Sequence, residues 1–155
     1  MKIVNVRAKN QLKISLVREN AVIPKRATEG AAGMDLCACI QESLILEAGK
    51  RVLIPTGIAI EMPSSDYAAL VLGRSGLGIN YGITLSNSVG LIDSDYRGEI
   101  QVGLSNFSDE PYTIAPNERI AQLVVIKVEQ LKIKAVTSLS ETVRGVGGFG
   151  SSGQV

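Results

Sequence analysis

The sequence contains no histidine, and this absence excludes several kinds of catalysis. Neither a Ser-His-Asp triad nor a Cys-His pair can form without an imidazole, and a zinc enzyme is disfavoured for the same reason. If the chain is an enzyme, its general base must be an aspartate, a glutamate, a lysine or a tyrosine. Chemistry with a hard cation bound through carboxylates remains open.

Cysteine is scarce as well. The chain has two cysteines, Cys37 and Cys39, which stand two residues apart in a strand-like run and therefore point to the same face. A metal site would need further soft ligands, and the sequence offers none. The pair therefore predicts reduced, buried thiols of an intracellular protein.

Net charge and long apolar runs are also lacking. The formal charge is +1 at pH 7, which is too close to neutral to indicate a nucleic-acid or membrane partner. No run approaches the ~20 apolar residues of a membrane helix. Residues 1–5 lack the apolar core of a signal peptide, so we expect a cytoplasmic protein. A chain of 155 residues is long enough for one domain and too short for two.

Helical periodicity is almost absent, and most of the chain is predicted to form short strands broken by Gly, Pro, Asn and Asp. Residues 12–16 alternate apolar and polar side chains, which is typical of a half-buried strand. Residues 44–46 and 51–55 are predicted to be two strands joined by a short turn. Residues 120–128 are nearly all apolar, as expected of a strand buried on both faces.

One short helix is predicted, starting near Ser75 and ending around Tyr81 and Gly82, where the glycine can stop it. Many short strands with little helix predict an all-β fold, either a sandwich, a jelly roll or a barrel. Five of the ten residues 144–153 are glycine, and so many glycines disfavour a regular element. We therefore expect a single domain over residues 1–143, followed by a flexible tail over residues 144–155.

Polar, glycine-marked stretches interrupt the predicted strands. The first, residues 32–36, places Asp35 near a glycine at a strand start, which by itself is typical of a turn. The second, residues 73–78, opens the predicted helix. Its free N–H groups, with Arg74 and Ser75 beside them, suit a phosphate. Helix capping by Ser75 is the alternative, and the stretch is not a Walker loop because no Gly-Lys-Ser/Thr follows.

The third stretch, residues 87–100, is predicted to be a hairpin with two hydrophobic arms. Its tip holds two acids and Tyr96, which is more than a turn requires. A carboxylate there can orient and deprotonate a water, although a plain polar hairpin is the alternative. The fourth stretch, residues 117–122, places Gln122 inside an apolar strand. Its amide must find partners there, and backbone groups are the usual ones.

Taken in order with the tail, these stretches resemble the five sequence motifs of the trimeric dUTPase family, over Ala32 to Gly153. Residues 90–98 (GLIDSDYRG) and 144–153 (RGVGGFGSSG) are the most specific. The resemblance implies hydrolysis of dUTP to dUMP and pyrophosphate, which keeps uracil out of DNA and supplies dUMP for thymidylate synthesis. It also implies a jelly-roll-like β barrel, a homotrimer with sites shared between subunits, and one Mg²⁺ chelated by the three phosphates.

The same resemblance implies a role for each matching residue. Asp93 corresponds to the catalytic carboxylate that orients the attacking water, in agreement with the lack of histidine. Tyr96 is implied to pack on the deoxyribose and exclude a 2′-hydroxyl, and Asp35 to lie near metal-bound waters. The other implied contacts are Asn87 and the backbone around Gly90 with uracil, Arg74, Ser75, Gly76 and Gln122 with phosphates, and Arg144, Phe149, Gly150, Ser151 and Ser152 in the tail that closes the site.

Three positions depart from the family pattern. Gly73 stands where many members have proline, Asn117 where glycine is usual, and Ser152 where threonine is usual. The first two are expected to alter backbone stiffness and turn geometry, and the third keeps the hydroxyl. None of the three removes a catalytic group.

Three alternatives to a dUTPase fit the sequence less well. A dCTP deaminase resembles dUTPases in fold and several motifs, but its catalytic glutamate would fall at Gly103, and its second serine after Arg-Ser at Gly76. A catalytically idle nucleotide-binding or signalling trimer would be expected to have lost at least one of the site residues, and all are retained. A purely structural β module needs neither the tail glycines nor the arginine and serine at the helix start.

Overall fold

The computed structural model describes residues 11–148. This part of the chain contains short strands and one helix, in the order β1 (Lys13–Leu16), β2 (Met34–Cys37), β3 (Leu44–Leu46), β4 (Arg51–Pro55), β5 (Ile58–Glu61), β6 (Tyr67–Leu72), α1 (Ser75–Tyr81), β7 (Ile83–Leu85), β8 (Gly90–Ile92), β9 (Gln101–Asn106), β10 (Tyr112–Ile114) and β11 (Arg119–Lys127). Within residues 11–148, no helix is long and apolar enough to cross a membrane.

The strands pair in antiparallel sheets, as the all-β prediction requires. A four-stranded sheet has the order β2-β11-β6-β8, and a three-stranded sheet has the order β4-β9-β7. Two further ladders join β1 to β5 and β10 to β3. The predicted all-β, jelly-roll-like fold with one short helix is confirmed, although over residues 11–148 the sheets do not close into one continuous barrel.

One apolar core lies beneath these sheets. Alternate residues of β9 are buried, so Val102 and Leu104 face inward while Gln101 is exposed. Strand β11 pairs with a neighbour on each side, and its Leu123 is fully buried. Each such side chain stabilises the fold by ~1.5–3 kcal/mol relative to an exposed position. The buried side-chain amide of Asn106 donates hydrogen bonds to the carbonyl oxygens of Leu46 and Glu110, at 3.0 and 2.8 Å.

Helix α1 ends where the sequence predicts. Gly82 adopts a left-handed conformation with φ 67°, and its N–H donates to the carbonyl of Gly78 at 3.1 Å. A Cβ at Gly82 would lie 2.9 Å from the backbone nitrogen of Ser108. Both the backbone conformation and the close packing therefore require glycine at this position.

The prediction of a hairpin over residues 87–100 is wrong, because the two arms do not pair with each other. Strand β8 pairs with β6, whereas β9 pairs with β4 and β7. The two arms therefore belong to different sheets, and the chain turns a corner between them. The corner is closed by the N–H of Tyr96, which donates to the carbonyl of Asp93 at 3.2 Å.

The two strands predicted on either side of residues 47–50 do not pair with each other either. Strand β3 pairs with β10, and β4 pairs with β9. Local patterning identifies a strand, but long-range packing selects its partner.

The chain leaves this body after β11. The N–H of Val128 donates to the carbonyl of Asp66 at 2.9 Å, and residues 129–146 are all exposed and form no helix or strand. Apolar side chains such as Ile133, Leu139 and Val143 are 86% exposed or more. The boundary of the tail at residue 144 remains a prediction from composition.

Candidate active site

A cleft of about 680 Å³ opens between the corner that follows β8 and the start of β9. Asn87, Gly90, Asp93 and Tyr96 all line it. These are the four residues for which the family resemblance implies base recognition, water activation and sugar packing. The fold therefore brings this half of the predicted site together in one place.

Two acidic side chains line the cleft, and they differ in their surroundings. Glu99 accepts hydrogen bonds from Arg18 at 2.6 and 2.8 Å and from the N–H of Gly57 at 2.9 Å. The hydrogen bond from Arg18 is the main reason why the pKa of the Glu99 carboxyl is lowered. Asp93 is exposed, and over residues 11–148 its carboxylate has no hydrogen-bond or ion-pair partner. Asp93 is therefore the acid in the cleft whose carboxylate is not engaged by another described residue.

The base-recognition side of the cleft combines a side-chain amide with an open strand edge. Asn87 lies in a tight turn, in which Ser88 has φ 63° and the N–H of Val89 donates to the Asn87 carbonyl at 2.7 Å. Strand β8 is the edge of its sheet, so it presents backbone N–H and C=O groups. A Cβ at Gly90 would lie 3.1 Å from that of Val71 and 3.6 Å from Nδ2 of Asn87. The glycine thus keeps this edge open beside the amide.

Tyr96 is held by its own corner. Its hydroxyl donates to the carbonyl of Glu99 at 3.1 Å. Its ring lies against Gly98, where an added Cβ would be 2.6 Å from Cζ of the tyrosine. Arg97 donates to the carbonyl of Ser94 at 2.8 Å and so fastens the same turn. Gly98 is a site residue that sequence reasoning missed, although the spacing Tyr-Arg-Gly was available as a signal.

A second group of predicted residues surrounds Asp35 on β2. Its carboxylate lies 3.4 Å from Nε of Arg74 and 3.2 Å from Nη1 of Arg119. Arg74 also donates to the carbonyl of Arg119 at 2.8 Å. One acid between two guanidinium groups leaves a net positive charge, which favours an anion such as a phosphate. Arg119 was not among the predicted contacts, because its pairing beside Asp35 depends on the β2–β11 register.

Gln122 and the helix start complete this group. The Gln122 amide donates to the carbonyl of Gly73 at 2.9 Å, which is the structural pairing that the sequence left as the alternative. Its Oε1 packs against Gly33, where a Cβ would approach to 2.7 Å. Arg74 is the N-cap of α1 and no side chain caps the helix, so the capping alternative for Ser75 is wrong. Gly76 has no atom within 4 Å of its Cβ position and leaves open space above the first turn.

The cysteines lie near these two regions as free thiols. Cys37 is half-buried beside the Asp35 group. Burial, and secondarily the charge of Asp35, raise the pKa of its thiol. Cys39 is also half-buried, and its thiol donates to the carbonyl of Glu19 at 3.3 Å. The predicted thiols are thus less buried than the sequence indicated.

Within one chain, the cleft and the Asp35 group are separate. Arg74 follows the end of β6 at Leu72, whereas Asp93 follows Ile92, which pairs with Ala69. Leu72 and Ala69 are three residues apart on β6, which at ~3.3 Å per residue corresponds to ~10 Å. Among the described residues, no hydrogen bond or ion pair joins the two groups. In one chain the cleft and the Asp35 group are therefore two distinct clusters.

The departures from the family pattern have simple structural explanations where they are described. Asn117 has φ 61°, a left-handed conformation that favours glycine and that asparagine tolerates best among the other residues. Gly73 has ordinary space around it, since its Cβ position is 3.8 Å from Oγ1 of Thr84. The backbone at Gly73 thus does not require glycine, and the turn at Asn117 is kept.

Two further predicted features can be located. Gly103 lines the cleft, so the position at which a deaminase would carry its glutamate faces the site but holds no side chain. Arg144 is exposed, and its Nε donates to the carbonyl of Gly147 at 3.0 Å. The remaining tail predictions, Phe149, Gly150, Ser151 and Ser152, lie outside the described residues.

Comparisons with known proteins agree with this geometry. A family model described as dUTPase matches residues 19–153. The deoxyuridine 5′-triphosphate nucleotidohydrolase of Neisseria meningitidis serogroup B is 50% identical over 143 residues, 92% of this chain and 95% of that protein. The Bordetella pertussis protein of the same name is 48% identical, over 92% and 96% of the two chains. The structure of the Staphylococcus bacteriophage 80alpha dUTPase with dUPNHPP superimposes with a TM-score of 0.85 at 28% identity, covering 93% of this chain and 99% of that one.

Proposed function

The chain belongs to the dUTPase family, and we propose that it hydrolyses dUTP to dUMP and pyrophosphate. The observation that carries the proposal is the cleft, where Asn87, Asp93 and Tyr96 meet and one carboxylate is left without a side-chain partner. A base-reading amide, a ring for the sugar and a free carboxylate are what this reaction needs from one surface. The chain has no histidine to act in place of the acid.

In the proposed reaction, Asp93 orients a water and accepts one of its protons. The water oxygen bonds to the α-phosphorus while the bond to the bridging oxygen breaks, and pyrophosphate leaves with that electron pair. Arg74, Ser75 and Gln122 bind the phosphates, with the bare backbone of Gly76 beside them. The protein supplies positioning and electrostatic stabilisation rather than a covalent intermediate.

The residues present fit a Mg²⁺ ion that enters with the substrate. Over residues 11–148, no group of three or more Cys, Asp or Glu side chains is placed to hold a metal by itself, so most ligands have to come from the triphosphate and water. Asp35 would face such metal-bound waters through its carboxylate. When bound, Mg²⁺ would offset phosphate charge and fix the conformation of the triphosphate. Arg74 and Arg119 hold the Asp35 carboxylate in place for this role.

We expect the functional unit to be a homotrimer whose sites are shared between subunits. The cleft and the Asp35 group lie apart in one chain, and a neighbouring copy can bring the missing half. Exposed apolar side chains also need cover, among them Leu53 and Leu91 beside the cleft, at 60% and 64% exposure. Sedimentation or light scattering checks the assembly, and an active monomer would contradict it.

A mixing experiment tests the sharing itself. Asp93→Asn and Arg74→Ala variants are each expected to be nearly inactive, and refolding them together is expected to restore activity. Random mixing of equal amounts puts an intact Asp93 and an intact Arg74 together at ~25% of shared sites. Refolding each variant alone is the control. If both residues came from one chain, no mixed assembly would contain a complete site, and no activity would return.

The domain division and location complete the proposal. Residues 1–143 form one dUTPase-like domain, and residues 144–155 close the site over bound nucleotide. Arg144 reaches the phosphates, Phe149 covers the base, and Gly150 with the hydroxyls of Ser151 and Ser152 lies along the phosphates. The enzyme is expected to work in the cytoplasm, without a nucleic-acid or membrane partner.

Discrimination against ribonucleotides is a direct prediction of the Tyr96 position. Because its ring is fixed by Gly98 and by the Glu99 carbonyl, it cannot move aside for a 2′-hydroxyl. We expect a much lower kcat/KM for UTP than for dUTP, and a relaxed preference in Tyr96→Ala. Equal kcat/KM values for the two nucleotides in the wild-type enzyme would show that Tyr96 has another role.

The proposed function is tested with a panel of nucleotides. The protein is incubated with dUTP, dCTP, dTTP and UTP in the presence of Mg²⁺, and pyrophosphate and nucleoside products are measured separately. We expect pyrophosphate and dUMP from dUTP alone. Conversion of dCTP to dUTP without pyrophosphate would instead identify a deaminase, and binding without any product would identify an idle nucleotide-binding protein.

A further inference from the structure

One ion pair at the cleft has no part in the reaction proposed above. Arg18 lies in the segment between β1 and β2, and its guanidinium meets the Glu99 carboxylate through two hydrogen bonds of 2.6 and 2.8 Å. The Glu99 side chain is 16% exposed, and it lines the cleft. A bidentate pair on a largely buried carboxylate is fixed in both distance and orientation.

The same carboxylate ties a second loop to this point. The N–H of Gly57, in the turn between β4 and β5, donates to Glu99 at 2.9 Å. Gly57 has φ 70°, and a Cβ there would lie 2.9 Å from Sγ of Cys39 and 3.3 Å from Cβ of Arg18. The closest contact of such a Cβ would be with Cβ of Ala21, at 2.5 Å, so a side chain at Gly57 would crowd the segment that carries Arg18. Two separate parts of the chain, the Arg18 segment and the Gly57 turn, therefore converge on the Glu99 carboxylate.

The backbone of Glu99 in turn holds Tyr96. Its carbonyl accepts the hydrogen bond from the tyrosine hydroxyl at 3.1 Å, so displacement of Glu99 moves the anchor of the ring. We propose that Arg18 and Glu99 are a positioning pair that fixes Tyr96 and thereby sets discrimination against a 2′-hydroxyl, an inference that rests on the proposed dUTP hydrolysis. Neither residue is required to touch the nucleotide. Arg18 lies just before residues 19–153, which match the family model.

Another ion pair in the same region supplies a matched control. Lys13 on β1 meets Glu61 on β5 at 2.6 Å, so it also fastens the segment before β2 to the body. Its side chains are more exposed, at 70% and 43%, and neither residue lines the cleft. Loss of this pair removes an ion pair that lies outside the cleft.

The test compares kcat/KM for dUTP with kcat/KM for UTP in Arg18→Gln, Glu99→Gln, the double variant and the control Lys13→Gln. We expect the ratio to fall about 10-fold in each single variant of the pair, since even ~1 Å of misplacement can cost ~10²-fold in rate. The ratio in the double variant is expected to be no lower than in the single variants, because the two residues act as one unit. Arg18→Lys keeps the charge but cannot form the bidentate hydrogen bond. Its kcat/KM ratio is expected to lie between those of the wild type and Arg18→Gln. Lys13→Gln is expected to leave the ratio unchanged.

Combining Arg18→Gln with Tyr96→Ala distinguishes a role in positioning Tyr96 from a role in general stability. In a Tyr96→Ala background, Arg18→Gln is expected to leave the ratio unchanged, because the pair acts through the ring. A fall in activity on both nucleotides by the same factor, with the ratio kept, would overturn the proposal and leave a purely structural pair. If Glu99→Gln fails to fold, Arg18→Gln and Arg18→Lys decide the question alone. Failure of the wild-type enzyme to hydrolyse dUTP would instead refute the proposed function.

Discussion

Asp93→Asn is expected to fold and bind dUTP normally while hydrolysis falls by ~10²–10⁴-fold, the usual cost of losing one positioned base. Asparagine keeps the shape of the side chain but cannot accept the proton of a water. The chain has no histidine to replace it, and the other acid of the cleft, Glu99, is occupied by Arg18 and Gly57.

Single-turnover rates and calorimetric binding of dUTP check this expectation together. Asp95→Asn is the matched control, because Asp95 lies on the same corner and is exposed but does not line the cleft. We expect the control to keep most of its activity. Near wild-type turnover in Asp93→Asn would show that another group activates the water.

Removal of residues 144–155 is expected to lower turnover by orders of magnitude while the assembly and its thermal stability change little. Glycine loses more chain entropy on ordering than any other residue, so this segment should order only when nucleotide supplies contacts. Closure would then exclude bulk water and strengthen the electrostatic interactions at the α-phosphorus. Residues 144–146 and 148 are exposed and Gly147 is half-buried, so the described part of the tail contributes little to the core.

Steady-state kinetics, light scattering and thermal melts on the truncated protein measure the three quantities. A matched control removes only residues 154–155, which lie beyond the residues that match the family, and is expected to behave as wild type. Full-rate hydrolysis of dUTP by the protein that ends at Val143 would mean that the first four motifs suffice without the tail.

Local features of this protein were predictable from sequence because local physics sets them. The stop of helix α1 at Gly82 follows from a backbone conformation that favours glycine. Asp93 and Tyr96, which line the cleft, stood out because acids and a tyrosine were crowded where a turn alone did not require them, whereas Asn87 was identified only through the family resemblance.

Features that depend on strand partners were not predictable in the same way. The corner after β8 looked like a hairpin because its two arms are both apolar, yet each arm packs into a different sheet. Arg119 reaches Asp35 only through the β2–β11 register, and Arg18 reaches Glu99 across 81 positions of the chain. Such contacts are set by packing in three dimensions, which no local pattern records.

In the proposed mechanism, a water attacks the α-phosphorus of dUTP and pyrophosphate leaves. The most direct measurement is hydrolysis of dUTP with Mg²⁺ in water enriched in the heavy oxygen isotope, followed by mass spectrometry of both products. Attack at the α-phosphorus places the heavy oxygen in the phosphate of dUMP and leaves the pyrophosphate unlabelled, and this is the result we predict. Heavy oxygen in the pyrophosphate, with unlabelled dUMP, would mean attack at the β-phosphorus and would contradict the proposed mechanism.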